Sequence, residues 1–400
     1  VEGRNIRIDL RAGKLPAEEV STGDTDDGGF NFLSSLQSAG LSILDVLESM
    51  SLISANSRLV ARVDLNATEH SRFTTTGTGE NGDLDIRVVT EGANSAKPIA
   101  ILAGLGFALG QVYQHVTIES DLQISGDMDL RSIVDLSNSA TASSGGLAGF
   151  GVGIAVTVTL IENTVSVKPK SGSDIVGDLR VTADTIERIY TEGSASSGED
   201  GILAVGIAVE VGINTTTARV AGADLSVGGN LVVQASNHKM ALVKKIGWVI
   251  PFQTVGTTAG ASTGTVSGGN FVDDVIKGLD PSSHVKSIAV SKAAKKSDSK
   301  FLKWINKKME PSENPQPPKV QISGGIGVQI DHDTVTAALG NADGSASLIK
   351  VTGETKVNAI ASVRPKMIAT ALSSNEGADS GSSTAAGAIA LNEQRPKRQK

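Results

Sequence analysis

Residues 153–160 read Gly-Ile-Ala-Val-Thr-Val-Thr-Leu, and residues 206–213 read Gly-Ile-Ala-Val-Glu-Val-Gly-Ile. Each stretch begins with a glycine and then alternates with a period of two, which favours a β-strand over a helix. Copies of this glycine-led apolar motif begin at Gly106, Gly153, Gly206, Gly327 and Gly387. The recurrence predicts a protein built from repeated strands.

A second motif lies between the copies of the first, where a glycine and a polar residue open a strand. Its copies are Gly82-Asp83, Gly126-Asp127, Gly177-Asp178, Gly229-Asn230 and, more weakly, Gly353-Glu354. Both motifs recur at intervals of about fifty residues, and both intervals lengthen at the same place, after residue 229. We expect each half-repeat to form one coil of three short strands, so that the full repeat is two coils.

The composition agrees with stacked coils. Hydrophobic residues make up 39% of the chain, whereas aromatic residues make up only 3% and there are 45 glycines. A core of Val, Ile, Leu and Ala with few rings is thin and layered, as stacked short strands would produce. The sequence therefore predicts an all-β fold, a parallel β-helix or β-solenoid, with neighbouring strands about 4.8 Å apart.

Two stretches interrupt the repeats and are expected to be inserted helical segments. Residues 28–60 carry apolar residues at helical spacing, and residues 246–319 combine a Gly/Ser/Thr-rich stretch, a lysine-rich helical region and a proline-rich linker. The predicted organisation begins with a partial solenoid coil (1–27) and a helical insertion (28–60). Solenoid repeats (61–245), the second insertion (246–319) and a resumed, truncated solenoid (320–400) follow.

Charge and cysteine content exclude several classes of protein. There are no cysteines, so a disulfide framework, thiolate metal sites and a cysteine nucleophile are all excluded. The net charge of −7 argues against nucleic-acid binding by the whole molecule. The longest apolar run, Pro98 to Gly110, is too short to span a bilayer. Because no signal peptide opens the chain, we expect a fragment of a longer precursor.

The acidic residues of the second motif are the first candidates for chemistry. Asp83, Asp127 and Asp178, with Asn230 in the same slot, would line one edge of the solenoid. Carboxylates in such a groove could bind Ca²⁺ or act on an acidic polysaccharide. Asp and Asn are also preferred turn residues after glycine, and the exchange of Asp for Asn favours this structural role.

Asp331-His332-Asp333 is the tripeptide that most resembles a metal site. In a strand, Asp331 and Asp333 share one face while His332 points away, so the three cannot chelate together without a turn. An exposed bend after Ile330 is the favoured interpretation, with Asp331 and Asp333 kept as candidate metal ligands.

Two stretches match a catalytic or a cofactor-binding motif in sequence, but neither has the structural context that the motif requires. Residues 260–264 fit the Gly-x-Ser-x-Gly nucleophile elbow, but they lie in a Gly/Ser/Thr-rich tract. Residues 77–82 fit the dinucleotide fingerprint, but the following residues alternate like a strand where the motif needs a helix. Both are interpreted as chance matches.

The lysine-rich segment is the candidate for binding a partner. If it is helical, one face could be apolar and the other cationic, as in helices that lie on membranes or acidic partners. The plainer alternative is a helical hairpin that docks on the solenoid with its lysines in solvent. The candidate residues are Lys295, Lys296, Lys300, Trp304, Lys307 and Lys308.

The repeats resemble those of giant bacterial filamentous adhesins. The strand at Gly206-Ile207-Ala208-Val209 leads to Asn214-Thr215 and then to Gly229-Asn230-Leu231, as in leukotoxin-like and filamentous-haemagglutinin-like exoproteins and some autotransporter passengers. The resemblance implies a right-handed parallel β-helix, export to the cell surface, and adhesion or fibre building without catalysis.

Its partners would be other cells, surface glycans or proteins, and neighbouring segments of the same long chain, including end-to-end self-association. The alternative is a β-helix module that binds carbohydrate or degrades polysaccharide. Such a module should bring aromatic residues and carboxylates together on one face, a pairing that does not recur in the sequence.

Overall fold

In the computed structural model, the described part of the chain is a parallel β-solenoid without helices. The described residues are 1–12, 52–78, 82–100, 103–144, 150–196, 203–222, 224–241, 257–263, 320–341, 345, 347–363, 367–373, 383–394 and 397–399. The strands, in chain order, are β1 (Glu2–Gly3), β2 (Ile6–Ala12), β3 (Leu52–Ala67), β4 (Arg72–Thr75), β5 (Leu84–Ala96), β6 (Ile99–Ala100), β7 (Ala103–Ile118), β8 (Asp121–Ile124), β9 (Met128–Ser144), β10 (Phe150–Val167), β11 (Ser173–Ile175), β12 (Leu179–Ser196), β13 (Leu203–Val220), β14 (Leu225–Val227), β15 (Leu231–Ala241), β16 (Thr257–Thr263), β17 (Val320–Leu339), β18 (Ile349–Val351), β19 (Thr355–Val363), β20 (Met367–Ser373), β21 (Ser383–Gln394) and β22 (Lys397–Gln399).

The strands form three parallel sheets. Sheet A is narrow and contains β1, β4, β8, β11, β14 and β18, stacked in that order. Sheet B is broad and follows the order β2, β5, β9, β12, β15 and β19, with β6, β16 and β20 extending it beside the main path. Sheet C has strands of similar length to those of sheet B and follows the order β3, β7, β10, β13, β17 and β21, with β22 beside β17. The predicted parallel β-helix is therefore confirmed.

One coil consists of one strand from each sheet, for example β10, β11 and β12, after which β13 begins the next coil directly on β10. The fifty-residue repeat is thus one coil, and the expected two coils per repeat is wrong. The reason is strand length. The strands of sheets B and C reach 18 to 20 residues, so that one pass around the solenoid uses the whole repeat.

The strand register also differs from the one that the copies of the glycine-led motif predict. Gly153 pairs with Gly206, as expected, but it pairs with Gly104 on the other side, and Gly206 pairs with Gly325. Gly106 and Gly327 are thus displaced by two positions from the expected match. Because side chains alternate with a period of two along a strand, a shift of two leaves every residue on its original face, and alternation cannot detect it.

The interior tapers away from sheet A. Next to sheet A lies an aliphatic core that includes Leu84, Leu130 and Val181. Further along the strands, sheets B and C face each other through small residues such as Ala108 and Ala155. Farthest from sheet A the sheets nearly touch.

Gly153 shows how close this approach is. A Cβ added at Gly153 would lie 2.9 Å from the carbonyl oxygen of Ala142 and would collide with that of Ser194. A glycine is needed here because the backbones of the two sheets approach closely, and positive φ is not the reason.

Buried polar side chains join the two sheets between the aliphatic core and the narrow end. Asn163 Nδ2 donates to the carbonyl oxygen of Asp184 at 2.9 Å, and Asn138 Nδ2 donates to that of Val158 at 2.8 Å. Gln114 Nε2 donates to Ser132 Oγ at 2.8 Å. Such pairing removes most of the cost of burying amide groups, since an unpaired buried donor is destabilising.

The structure describes only parts of the two predicted helical insertions. Residues 52–60 of the first belong to β3 and pair in parallel with β7, so the helical expectation is wrong there. Helical spacing of apolar residues is outweighed by the ladder that β7 offers to an extended chain. The rest of that segment lies outside the described residues. In the second insertion β16 is a strand, and residues 246–256 and 264–319 lie outside the described residues.

Strands β15 and β16 share one rung of sheet B. β15 pairs with the first part of β12 and stops at Ala241, and β16 pairs with the last part of β12 from Thr257 onward. Sheet C continues in β17, which begins at Val320.

Candidate functional site: an apolar outer face and a buried charged cluster

The outer surface of sheet C carries large aliphatic side chains at successive outward positions. In β13, the outward residues from Leu203 to Ile213 alternate with buried inward ones, and none of the outward residues is charged. The equivalent stretches of β7, β10 and β17 have the same character. We define the apolar face as Leu105, Phe107, Leu109, Val152, Ile154, Val156, Val158, Leu160, Leu203, Val205, Ile207, Val209, Val211, Ile213, Ile322, Ile326, Val328 and Ile330.

These side chains are partly accessible to solvent across the face. The exposed fraction is 39% for Phe107, 47% for Ile213 and 45% for Ile322, and the remaining members are half-buried among their neighbours. The inward-facing residues that alternate with them are small, because the space between sheets B and C narrows away from sheet A. The glycine-led motif therefore places its small residues inside and its large apolar residues outside, at the end of the solenoid where the sheets nearly touch.

Sheet B presents a different outer surface. Its outward positions carry charged residues that pair with one another, such as Arg131 with Asp129 at 2.9 Å and Arg188 with Asp135. Ser236 donates to Asp184 on the neighbouring coil. The two broad faces of the solenoid thus differ: sheet B is charged on its outside, whereas sheet C carries the apolar face, with charged side chains such as the Arg62–Asp64 pair beside it in β3.

The acidic residues of the second motif lie at the bend between sheets A and B. Asp83 Oδ1 accepts a hydrogen bond from the backbone N–H of Asp127 at 2.9 Å, and Asp127 Oδ1 accepts one from Asp178 at 2.8 Å. Asp178 Oδ1 accepts one from Asn230 at 2.7 Å, and Asn230 Oδ1 one from Glu354 at 2.8 Å. Each side chain therefore holds the backbone of the next coil, and this series is called the corner ladder below.

The glycines of the second motif form a parallel backbone ladder at the same bend. The N–H of each donates to the carbonyl oxygen of its predecessor at 2.9 Å, from Gly126 on Gly82 through Gly177 and Gly229 to Gly353. At Gly353 an added Cβ would lie 2.5 Å from Asn230 Oδ1. The glycine leaves the space that the preceding corner side chain occupies.

The interior of the last coils holds a cluster of ionisable side chains, which we call the charged cluster: Glu187, Glu210, Lys239, Asp331 and Asp333. Glu187 comes from β12, Glu210 from β13, Lys239 from β15 and the two aspartates from β17. All five residues are at most 2% exposed. Sheets B and C each contribute, because the inward faces of their strands meet here.

Lys239 lies at the centre of the charged cluster. Its Nζ donates to Asp331 Oδ1 and lies 3.2 Å from Glu210 Oε1 and 3.5 Å from Glu187 Oε2. Asn214 Nδ2 bridges Glu187 Oε2 at 2.6 Å and Asp333 Oδ1 at 2.9 Å. One ammonium group therefore faces four carboxyl groups inside the solenoid.

Burial and mutual repulsion change the protonation of the cluster. Burial raises the pKa of Glu187 to about 7, because Lys239 offsets only part of the loss of water and the other carboxylates add to the rise. Burial likewise raises the pKa of Asp333. Desolvation lowers the pKa of Lys239, but the surrounding carboxylates outweigh it and raise that pKa above its ordinary value.

Several polar atoms of this region have no hydrogen-bond partner among the described residues. They include Glu187 Oε1, Asp333 Oδ2 and Gln329 Oε1. A buried polar atom without a partner costs about 1–3 kcal/mol. The cluster is therefore a costly feature of the fold, unlike the satisfied amides nearer to sheet A.

The structure corrects the interpretation of residues 331–333. They lie in the middle of β17 and do not form an exposed bend. Asp331 and Asp333 do share one face, which is the buried one, whereas the exposed His332 points outward and lies 3.7 Å from Glu393. The sequence predicted a bend because three polar residues follow Ile330. Asp331 and Asp333 are buried because the charged groups of sheet B face them across the interior of the solenoid. Within the described ranges, no three His, Asp or Glu side chains are placed to hold a metal ion.

Glu187, Glu210 and Lys239 are not among the candidates that the sequence motifs predict. A signal was present, since Glu187 and Lys239 each follow a corner leucine, Leu179 and Leu231, by an even number of residues and so point inward. Counting the alternation from the corner motif would have placed both charges inside the solenoid.

The other sequence candidates lie away from these sites. Thr257–Thr263 is a strand, so Ser262 is not at a nucleophile elbow, and Gly82 is followed by strand β5 where a dinucleotide site needs a helix. The six candidate partner-binding residues from Lys295 to Lys308 lie outside the described residues.

The described ranges contain no helix, and so no candidate for a helical membrane span. No protein-family model, no curated protein and no solved structure matches this chain.

Proposed function

We propose that this chain is a non-catalytic structural and adhesive segment of a bacterial cell-surface or extracellular fibre protein, attaching to its target through the apolar face of sheet C. The observation that carries the proposal is the chemical difference between the two broad faces. Sheet B has a charged outer surface with internal ion pairs, whereas four neighbouring strands of sheet C carry the apolar face.

The size of the apolar face supports an attachment role. The longest apolar stretch, Leu203 to Ile213 of β13, extends for about 35 Å, and four neighbouring strands contribute to the face at a spacing of about 4.8 Å. Soluble proteins rarely expose continuous apolar patches above a few hundred Å² unless the patch binds something. The favoured target has an apolar surface, because the outward positions of the apolar face offer no charge for recognising ions or acidic groups.

The parallel stacking supports a structural role. Each coil pairs its backbone with the coils on both sides, and the corner ladder repeats this connection with side chains. Within the described strands, β2 and β3 at one end and β19 and β21 at the other pair on one side only. Neighbouring segments of a long chain, or a second copy, could continue these sheets.

The secreted, cell-surface placement rests on two sequence features. The repeats are similar to those of bacterial filamentous adhesins, and the chain has no cysteine. Both suit a long protein that is exported and assembles outside the cell.

An adsorption experiment tests the attachment role. Particles coated with the protein would be offered to alkyl-coated and hydroxyl-coated surfaces, and then to bacterial and host cells. The double variant Val156→Lys/Val209→Lys places two charges on neighbouring strands of the apolar face. The control Ile133→Lys/Ile186→Lys adds the same charges to outward positions of sheet B. We expect wild type and control to bind the alkyl surface and cells, and the face variant to lose most of this binding.

Equal binding by the face variant and the wild type would contradict attachment through sheet C. The competing function, binding or cleavage of polysaccharide, would appear on a glycan array or in a depolymerisation assay. Turnover of any polymer that is lost on Asp127→Ala or Asp178→Ala would overturn the non-catalytic proposal.

A further inference from the structure

We propose that Lys239 and Asp331 become joined by an amide bond between Nζ and Cγ, a covalent crosslink between sheets B and C inside the solenoid. The two side chains are in direct contact, fully buried, and flanked by carboxyl groups that can move protons. This inference is independent of the proposed attachment role.

Sheet geometry brings the two reacting groups together. Lys239 extends inward from β15 and Asp331 from β17, and Gly212 of β13 lies beside them. A Cβ added at Gly212 would lie 2.5 Å from Lys239 Nζ and 2.8 Å from Asp331 Oδ1. The missing side chain at Gly212 leaves the space in which the amine and the carboxyl group meet.

Fixed contact favours condensation. Holding two groups in a reactive geometry replaces a bimolecular encounter and gives effective concentrations of about 10⁵ M or more. Lys239 is 1% exposed and Asp331 is 1% exposed, so bulk water does not compete at the site.

The reaction balances without an external reagent. Lys239 Nζ first transfers one proton to the Asp331 carboxylate that it contacts, and the neutral amine so formed attacks Cγ of that carboxyl group, forming the C–N bond. Glu210, whose Oε1 lies 3.2 Å from Nζ, accepts a proton from the nitrogen and returns it to the departing hydroxyl group. The C–O bond breaks, one water molecule leaves, and the product is a neutral amide. Glu187, at 3.5 Å from Nζ, is placed for the same proton transfer.

The charge of the cluster supplies the driving force. Four carboxylates around one ammonium would leave a large negative charge in the interior, and the raised pKa values of Glu187 and Asp333 show that the cluster binds additional protons. Proton transfer within the Lys239–Asp331 pair, followed by loss of water, leaves neither group charged. Condensation then removes one buried positive and one buried negative charge, each of which is costly to bury.

The crosslink would connect two strands that the sequence separates. Lys239 and Asp331 are 92 residues apart, and the insertion between β15 and β17 lies between them. An amide bond would hold sheets B and C together across this insertion, so that a pulling force could not open the solenoid there.

The mass of the intact, purified full chain tests the proposal. We expect the wild type to be lighter than its sequence by one water molecule, and a protease digest to contain one branched peptide joining the segments around Lys239 and Asp331. Lys239→Arg keeps the positive charge but cannot form this amide, so it should show the full mass. Lys350→Arg alters an exposed lysine that pairs with Asp224 at 3.0 Å, and should keep the loss of water.

Two results would overturn the proposal. The first is a folded wild-type chain with the unmodified mass after prolonged incubation, which does not depend on any variant being stable. The second is a loss of water that persists in Lys239→Arg. The double variant Glu187→Gln/Glu210→Gln should retain the full mass, and crosslinking at the wild-type rate would contradict the proton-transfer role of these two residues.

Discussion

Glu187 and Lys239 occupy equivalent positions on adjacent coils of sheet B, and both side chains are buried inside the solenoid. In a parallel stack, equivalent positions usually carry similar residues, as Leu179 and Leu231 do at the start of the same two strands. The change from a carboxylate to an ammonium between neighbouring coils creates a pair, and the carboxylates of sheet C extend it into a cluster.

The first prediction concerns the pH dependence of stability. The pKa of Glu187 is raised to about 7 in the folded chain from 4.5, so the folded state binds the proton more tightly than the unfolded state. Stability from this group is fully present below pH 4.5 and is lost as the pH rises to about 7, by roughly 3 kcal/mol at most. Urea unfolding between these pH values would measure it. Because an amide at Lys239 removes a nearby positive charge, crosslinking would change the size of the effect and keep its direction.

Glu187→Gln should remove most of this pH dependence, since the amide cannot titrate but can still accept the hydrogen bond from Asn214. Glu91→Gln, at an exposed position of sheet B, is the matched control and should behave like the wild type. An unchanged pH profile in Glu187→Gln would show that this carboxyl group is not the one that titrates.

The second prediction concerns the loss of the central charge. Lys239→Met removes the amide bond proposed above and, in any chain not yet crosslinked, the positive partner of the buried carboxyl groups; breaking a buried ion pair from one side costs about 3–5 kcal/mol. The midpoint of denaturant unfolding would measure the change. Lys350→Met breaks an exposed pair with Asp224 and should have almost no effect. Similar midpoints for the two variants would contradict the central position of Lys239.

The third prediction tests the corner ladder. Asp178→Ala removes the oxygen that accepts the backbone N–H of Asn230 at 2.7 Å, and should cost about 1 kcal/mol. Hydrogen exchange of the Asn230 amide should become faster in the same variant. Asp178→Asn keeps an acceptor of the kind that Asn230 itself provides on the next coil, and should be close to the wild type. Faster exchange in Asp178→Asn as well would assign the role to the charge, contrary to this prediction.

The fourth prediction tests the close approach of sheets B and C. Gly153→Ala would push a methyl group against the carbonyl oxygens of Ser194 and Ala142, and overpacking of this kind costs about 1–3 kcal/mol. Gly324→Ala is the control, since a Cβ there meets nothing within 4 Å. Thermal unfolding of both variants would provide the comparison. Equal stability would mean that the sheets are farther apart than described.

Much of the fold could be predicted from local sequence. The strand alternation from Gly153 to Leu160 and the corner at Gly177-Asp178 can be recognised from neighbouring residues alone, because a period of two and the turn preferences of Gly and Asp extend over only a few residues. The spacing of the corners at Gly126, Gly177 and Gly229 then predicts stacked coils. The number of coils per repeat was not predictable in this way, since it depends on how far each strand runs before it turns.

The candidate sites depended on tertiary structure to a greater extent. Alternation shows that Ile207 and Ala208 point in opposite directions, but it does not say which one faces the interior. The narrow separation of sheets B and C decides this, because only Gly and Ala fit between them at that end.

The sequence by itself determined the solenoid, its corners and its glycine positions, since these follow from short-range periodicity and turn chemistry. Only the tertiary structure decided the register of Gly104 with Gly153, the aliphatic outer face of sheet C, and the meeting of Lys239 with Asp331. The last contact joins residues 92 positions apart on different sheets, and a periodic pattern along one strand carries no information about the strand that faces it.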